Sequence, residues 1–200
     1  MLSLVIQAGG KSSRMGVDKA LMPFLGRPLI ERVLNRIMHL ADQVLITTNS
    51  PDEYRFLNIP LIPDSIPDRG ALGGLYTALQ AAQHPLVAVV ACDLPFVNPD
   101  ILLFARDKLR DTNLDAAIPG TRHGLEPLHA VYRRATCTPA VKAAIDDDQW
   151  RLTSWHHHIN LHTIDQSVIQ QYDPLGQAFL NLNTPDAFEE AEIQAQLTDQ

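Results

Sequence analysis

Leu2-Ser3-Leu4-Val5-Ile6-Gln7 followed by Ala8-Gly9-Gly10-Lys11-Ser12-Ser13-Arg14-Met15-Gly16-Val17-Asp18-Lys19 is the stretch on which the fold is read. Residues 2–6 are an apolar run of strand length, and the segment from Gly9 to Lys19 is glycine-rich and polar. Pro28 then opens an amphipathic stretch in which Ile30, Val33, Leu34, Ile37 and Ala41 recur at helical spacing, with Glu31, Arg32, Asn35 and Arg36 on the other face. The unit is strand, loop, helix, and it repeats. A second strand is predicted over 43–48, and Ser50-Pro51-Asp52-Glu53 has the form of a capping box with proline at the first helical position.

Further along, 61–62 is a brief strand, Gly70 to Gly74 leads into a helix ending near Gln83, and the continuously apolar run 86–91 reads as a strand covered on both faces. A helix is predicted from Asn98-Pro99-Asp100 to about Asp111, strands over 115–118 and 128–133, and a short helix from Pro139 into Asp146-Asp147-Asp148. The last third is predicted to hold strands over 159–164 and 179–182 and a helix from Pro185 capped by Thr184. Strands alternating with helices argue for one doubly wound, mostly parallel α/β sheet, a single domain over 1–200. Such sheets bind ligands beyond the carboxyl ends of their strands.

Two hundred residues bury about 70% of the unfolded surface in one core. The 16 Lys and Arg against 23 Asp and Glu give a net charge of −7, which repels phosphate and disfavours sequence-independent nucleic-acid binding. Two cysteines, Cys92 and Cys137, imply no disulfide framework, and no stretch has the length of a bilayer span or the form of a leader. A cytoplasmic protein is expected.

Within this acidic chain, Lys11, Arg14 and Lys19 against Asp18 give the first loop a local net of +2, suited to a phosphate chain held by backbone N–H groups and cationic side chains. The loop is neither of the two common phosphate motifs. Gly16 is followed by Val17 rather than by Lys-Ser/Thr, and Gly9 is followed directly by Gly10, so both the Walker A and the dinucleotide spacings fail.

The string Ala8 to Leu21 with Gly26-x-Pro28-Leu29 resembles the signature of nucleotidyltransferases that make nucleotide-activated compounds, and is most similar to that of the molybdenum cofactor guanylyltransferase (MobA) family. Further motifs run along the chain: Ile62-Pro63-Asp64-Ser65, Gly70-Ala71-Leu72-Gly73-Gly74, Cys92-Asp93-x-Pro95-Phe96, Glu126-Pro127-Leu128 and Asn181-x-Asn183-Thr184-Pro185. The resemblance implies a Rossmann-like fold of the nucleotide-diphosphosugar transferase kind. It also implies transfer of GMP from GTP to molybdenum-bound molybdopterin with release of pyrophosphate. The substrates would be GTP and molybdopterin, the latter able to arrive on another protein of the same biosynthesis.

Joining two polyanions asks the catalyst for charge neutralisation and in-line geometry rather than for a protein nucleophile. Arg14 and Lys19 are expected to bind the triphosphate, and Asp93, at the end of the apolar strand, to hold Mg²⁺ together with substrate phosphates. The resemblance assigns Gln7, Ala8, Gly9 and Gly10 to nucleotide contact through the backbone, with Gln7 replacing a common Leu. It gives Asp64 a nucleotide contact, and a carboxylate can accept from guanine N1–H and its exocyclic amine. Asp68 competes for that role, and an Asn near the end of strand two has its match at Thr47, with Asn49 close by. Asn181 and Asn183, on alternate positions of the predicted late strand, are placed near the acceptor, with Arg151 a further acceptor-side candidate. His156-His157-His158 lacks metal-ligand spacing. Transfer of another nucleotide such as CMP, transfer to a sugar phosphate, and a non-catalytic nucleotide-binding regulator remain alternatives at this point.

Overall fold

The computed structural model describes residues 1–8, 18–182 and 184–198. Gly9, Gly10, Lys11, Arg14 and Asn183, which carry expectations from the sequence, therefore lie outside the described residues. The elements are β1 (Leu2–Gln7), β2 (Pro23–Phe24), β3 (Arg27–Pro28), α1 (Leu29–Ile37), β4 (Gln43–Thr47), α2 (Pro51–Tyr54), β5 (Leu61–Ile62), α3 (Gly70–Ala81) and β6 (Leu86–Ala91). There follow α4 (Pro99–Arg110), β7 (Ala116–Thr121), β8 (Gly124–Leu125), β9 (His129–Arg133), α5 (Arg134–Asp146), β10 (Leu161–Ile164), α6 (Gln166–Tyr172) and α7 (Pro185–Thr198).

The main sheet has the order β10-β7-β9-β6-β1-β4-β5, with β8 paired to β7. β1 pairs in parallel with β4 and β6, β4 with β5, and β7 with β10, while β9 is antiparallel to both β6 and β7. The expected mostly parallel α/β sheet is present, with β9 as the reversal inside it.

Alternation along the central strands divides the core. Leu2, Leu4 and Ile6 of β1 join Ala88 and Val90 of β6 on the face covered by α1, α4 and α6. Val5, Val87 and Val89 point to the opposite face, where α3, α5 and Trp155 cover them. Two covered faces explain the unbroken apolar run of β6. A third cluster, with Phe24, Phe96, Leu182 and Phe188, packs α7 onto the strand pair β2–β3 and the turn after β6.

Three expectations are corrected. Residues 179–182 are not a strand: the Asp173 carboxylate accepts the N–H groups of Gln177 (3.0 Å) and Ala178 (2.8 Å), Leu180 N–H closes a turn onto Gln177, and Leu182 is buried beneath α7 instead of in a ladder. The same-face argument for Asn181 and Asn183 falls with that strand. Pro139 does not begin a helix but sits inside α5, which starts at Arg134, where the main chain of β9 turns directly into it. Both Pro139 and Ala135, four residues back, are exposed, so the forfeited backbone bond faces water. Ser50 precedes α2 without a side-chain cap, because α2 is a single turn whose Glu53 N–H reaches the Ser50 carbonyl at 3.1 Å.

Candidate active site

Because β1, β4, β5 and β6 are parallel, Gln7, Thr47, Ile62 and Ala91 finish at one edge of the sheet. The main chain stays laced just past that edge: Ala8 N–H donates to Thr47 O at 2.8 Å, Thr48 N–H to Ile62 O at 2.9 Å and Cys92 N–H to Gln7 O at 3.3 Å. The Ala8 N–H is thus committed within the sheet, which leaves its carbonyl, and not its N–H, for a ligand.

Asp93 follows two residues after β6 and is half-buried. Burial pushes its carboxyl above the usual carboxylate range, and the Lys19 ammonium draws it part of the way back. The two sequence-predicted groups are therefore brought within electrostatic reach of each other. Lys19 begins a 3-10 turn over Lys19–Leu21 whose N-cap is Asp18. One Asp18 oxygen accepts Ala20 N–H at 3.0 Å and the other accepts the hydroxyl of buried Tyr54 at 2.5 Å. Burial and the Asp18 carboxylate push the Tyr54 hydroxyl far up, so it stays a donor. Asp18 is a support for Lys19 rather than a ligand-facing acid.

At the β4–β5 side, Asn49 and Asp64 form a reciprocal pair. Asn49 Nδ2–H donates to Asp64 Oδ2 at 2.8 Å, and Asp64 N–H donates to Asn49 Oδ1 at 3.0 Å. Thr47, the position matched by the resemblance, is instead buried, with its hydroxyl lacking a partner among the described residues. Asp68 is exposed at a turn with φ +62°. Of the two competing carboxylates, Asp64 is the one oriented by a neighbour.

A contact the sequence did not announce joins β1 to α3. Gln7 Nε2–H donates to Ala71 O at 3.1 Å, and the Gln7 side chain occupies the space a Cβ at Gly74 would need. The Gly73-Gly74 pair was the available signal: α3 begins at Gly70, so both glycines lie within the helix, where a close approach is the usual reason for tolerating them. Gln7 Oε1 is buried without a partner among the described residues.

β7 is parallel to the central strands, so its far end opens on the same edge. There a cleft of about 840 Å³ is lined by residues including Thr121, Glu126, Asp173, Leu175 and Phe179. Glu126, from the Glu-Pro-Leu motif, is half-buried, which raises its carboxyl pKa, and lies 3.2 Å from the Thr121 hydroxyl. Asn181 lies in an exposed loop just after the cleft residues Phe179 and Leu180, and Arg151 is exposed. His156–His158 form a 3-10 turn, with the His156 ring edge-on to Trp155 at 4.9 Å.

Among the described residues no group of three or more His, Cys, Asp or Glu side chains could hold a metal ion. Of the described carboxylates on this edge, Asp93 is the one that is desolvated and lies under the influence of the Lys19 ammonium. No helix among the described residues is long and apolar enough to cross a membrane.

Comparison with known proteins agrees with this fold. A probable molybdenum cofactor guanylyltransferase from Natronomonas pharaonis is 32% identical over 194 residues, covering 94% of this chain and 95% of that protein. The molybdenum cofactor guanylyltransferase of Desulfosudis oleivorans is 30% identical over 189 residues, covering 94% of this chain and 93% of that protein. The crystal structure of molybdopterin-guanine dinucleotide biosynthesis protein A from Archaeoglobus fulgidus superposes with a TM-score of 0.85 at 25% identity, covering 99% of this chain and all of the other. Residues 4–159, which run from within β1 through α5 and include the Asp93 turn, match the family model, and the chain belongs to the MobA-like NTP transferase domain family.

Proposed function

We propose that this protein is a Mg²⁺-dependent guanylyltransferase that joins GMP from GTP to molybdenum-bound molybdopterin, giving the guanine dinucleotide form and pyrophosphate. The observation that carries the reading is the desolvated Asp93 carboxylate beside the Lys19 ammonium, at the carboxyl edge of a parallel sheet in a member of this family. Relatives along nearly the whole chain carry that guanylyltransferase name.

In the proposed reaction a phosphate oxygen of molybdopterin attacks the α-phosphorus of GTP in line. The bond from the α-phosphorus to the α,β-bridging oxygen breaks, and its electron pair leaves with pyrophosphate. Lys19 and Arg14 bind the triphosphate, Lys19 as a point charge and Arg14 through its planar fork. Gln7, Ala8, Gly9 and Gly10 form the nucleotide-contacting start of the loop, with the Ala8 carbonyl as an acceptor because its N–H is already bonded to Thr47. Asp64, oriented by Asn49, accepts from guanine N1–H and its amine, donors that adenine does not present together.

Asp93 would hold Mg²⁺ jointly with phosphate oxygens. When bound, the ion neutralises charge that develops on the phosphates. Holding the carboxylate partly out of water, as the fold does, favours its pairing with a cation over its solvation. Asn181 and Asn183 serve the acceptor side, where amides bind phosphate or pterin groups without adding negative charge.

Thermal shift with each nucleoside triphosphate and Mg²⁺, followed by pyrophosphate release with molybdopterin, tests the proposal. Stabilisation by GTP and release dependent on molybdopterin are expected. Stabilisation by CTP but not GTP would overturn the guanine assignment, and binding of GTP without release would make the protein a regulator instead.

A further inference from the structure

The turn that carries Asp93 has no ladder of its own. β6 ends at Ala91, and the backbone from Leu94 to Asn98 crosses to α4 with one internal bond, Val97 N–H to Leu94 O at 3.1 Å. Pro95 has no N–H to offer. Among the described residues, further anchors come from the Asn98 side chain, whose Nδ2–H donates to the Tyr172 carbonyl at 2.9 Å, and from side chains outside the turn. Arg32 on α1 donates Nε–H to the Pro95 carbonyl at 2.8 Å, and Arg36, one helical turn later on the same face, donates Nε–H to the Val97 carbonyl at 3.1 Å. From the opposite side, His129 at the start of β9 accepts Asn98 N–H on Nε2 at 3.1 Å.

Two of the three anchors, Arg32 and His129, are themselves held by packing. The Arg32 guanidinium carbon stands 5.2 Å from the Phe24 ring centre and 5.5 Å from that of Phe96. His129 is buried, with its ring edge-on to Phe179 at 5.0 Å. Asn98 passes the constraint on, because its Oδ1 accepts the Asp100 and Ile101 N–H groups and so starts α4. Three side chains from two elements therefore hold main-chain groups at three of the five residues after Asp93.

Two arginines of one helix face thus donate Nε–H to carbonyls of a single irregular turn. A cation-holding carboxylate on an irregular turn depends on its backbone for aim, since a displacement of a fraction of an ångström already weakens such a site. We propose that Arg32, Arg36 and His129 are positioning residues for Asp93, fixing the Leu94–Asn98 backbone so that the carboxylate is oriented before the cation arrives. This rests on the reading of Asp93 as the cation-holding group.

The test uses the full chain and the variants Arg32→Ala, His129→Phe and His129→Gln, whose amide oxygen can take the place of Nε2. Three readouts are taken: hydrogen exchange over 94–98 without ligand, Mn²⁺ binding to the GTP-loaded protein by water-proton relaxation, and the Mg²⁺ dependence of pyrophosphate release. One lost backbone anchor is expected to change each by about tenfold, the size of a single net hydrogen bond. Arg32→Ala and His129→Phe should thus exchange faster over 94–98, bind Mn²⁺ more weakly and need more Mg²⁺, while KM for GTP at saturating Mg²⁺ stays within about threefold. His129→Gln should return toward the parent protein in all three. Parent-like exchange or parent-like cation binding in Arg32→Ala and His129→Phe overturns the proposal, as does His129→Gln behaving like His129→Phe. If the parent protein releases no pyrophosphate, the functional reading fails by itself, and exchange and Mn²⁺ binding still decide whether the clamp acts.

Discussion

The half of the sheet formed by β1, β4, β5 and β6 and the half formed by β7, β9 and β10 end at the same edge but are built differently. In the first half every strand is parallel, and short bonds just past the edge hold Ala8, Thr48 and Cys92 in fixed places. Asn49, Asp64 and Asp93 sit one or two residues past those bonds. In the second half β9 runs backwards, β8 folds against β7, and an Asp173-capped turn replaces a strand, leaving the wide cleft beside Glu126 and Phe179. Parallel register gives a narrow, repeatable placement, and reversal makes room for a bulkier group. His129 stands at the join, bonded to Asn98 on one side and packed on Phe179 on the other.

The strongest way to break this contrast is to remove the charges of the first half. Lys19→Ala and Asp93→Ala should each lower turnover by on the order of 10² or more, measured as pyrophosphate release, with an unchanged circular dichroism spectrum. Near-parent rates in both would remove the functional site from the parallel half.

The join itself is exposed by acid. Burial holds the His129 imidazole down at about 4 against an ordinary 6.5, so the folded protein keeps it neutral while the unfolded chain takes up a proton. Stability contributed this way is complete above 6.5 and is lost as pH falls toward 4, a change of about 3 kcal/mol. Urea unfolding from pH 7 to pH 4 should show that slope, and His129→Gln should flatten it.

A smaller effect tests the packing under the parallel half. Gly74→Ala would drive a Cβ into Gln7, and overpacking of this kind costs about 1–3 kcal/mol. Gln7→Ala in the same background should recover most of that loss, and a double-mutant cycle by chemical denaturation measures the coupling.

The smallest expected change has the opposite sign to its effect on activity. Because the Asp93 pKa is raised by burial, its ionised form is disfavoured in the folded state, and the folded protein loses stability as pH rises through the usual carboxylate range. Asp93→Asn should therefore raise the melting temperature of the nucleotide-free protein slightly at pH 7 and no longer do so in acid below that range. A lowered melting temperature at pH 7 would mean that Lys19 outweighs burial.

Several candidate site residues stand out in the sequence because their chemistry is local. The glycine and basic loop announced itself by a charge reversal, and Asp93 by its place after an apolar run that had to be a covered strand. The pairing of Asn49 with Asp64 was not legible, since nothing in either segment states that β4 and β5 are neighbours in the register Thr47 to Ile62. Nor was the clamp of Arg32, Arg36 and His129, whose partners are backbone atoms that no residue type advertises.

Periodicity and composition by themselves determined an α/β chain with a central parallel sheet, because burial on one or two faces writes itself into the spacing of apolar residues. They also misread 179–182 as a strand, since an apolar segment can be buried by a helix as well as by a ladder. The tertiary structure alone decided the reversal of β9, the inward turn of Thr47, the seat of Gln7 against Gly74 and the hold on the Asp93 turn. These are contacts between residues far apart in the chain, and their energies depend on distances that only packing sets.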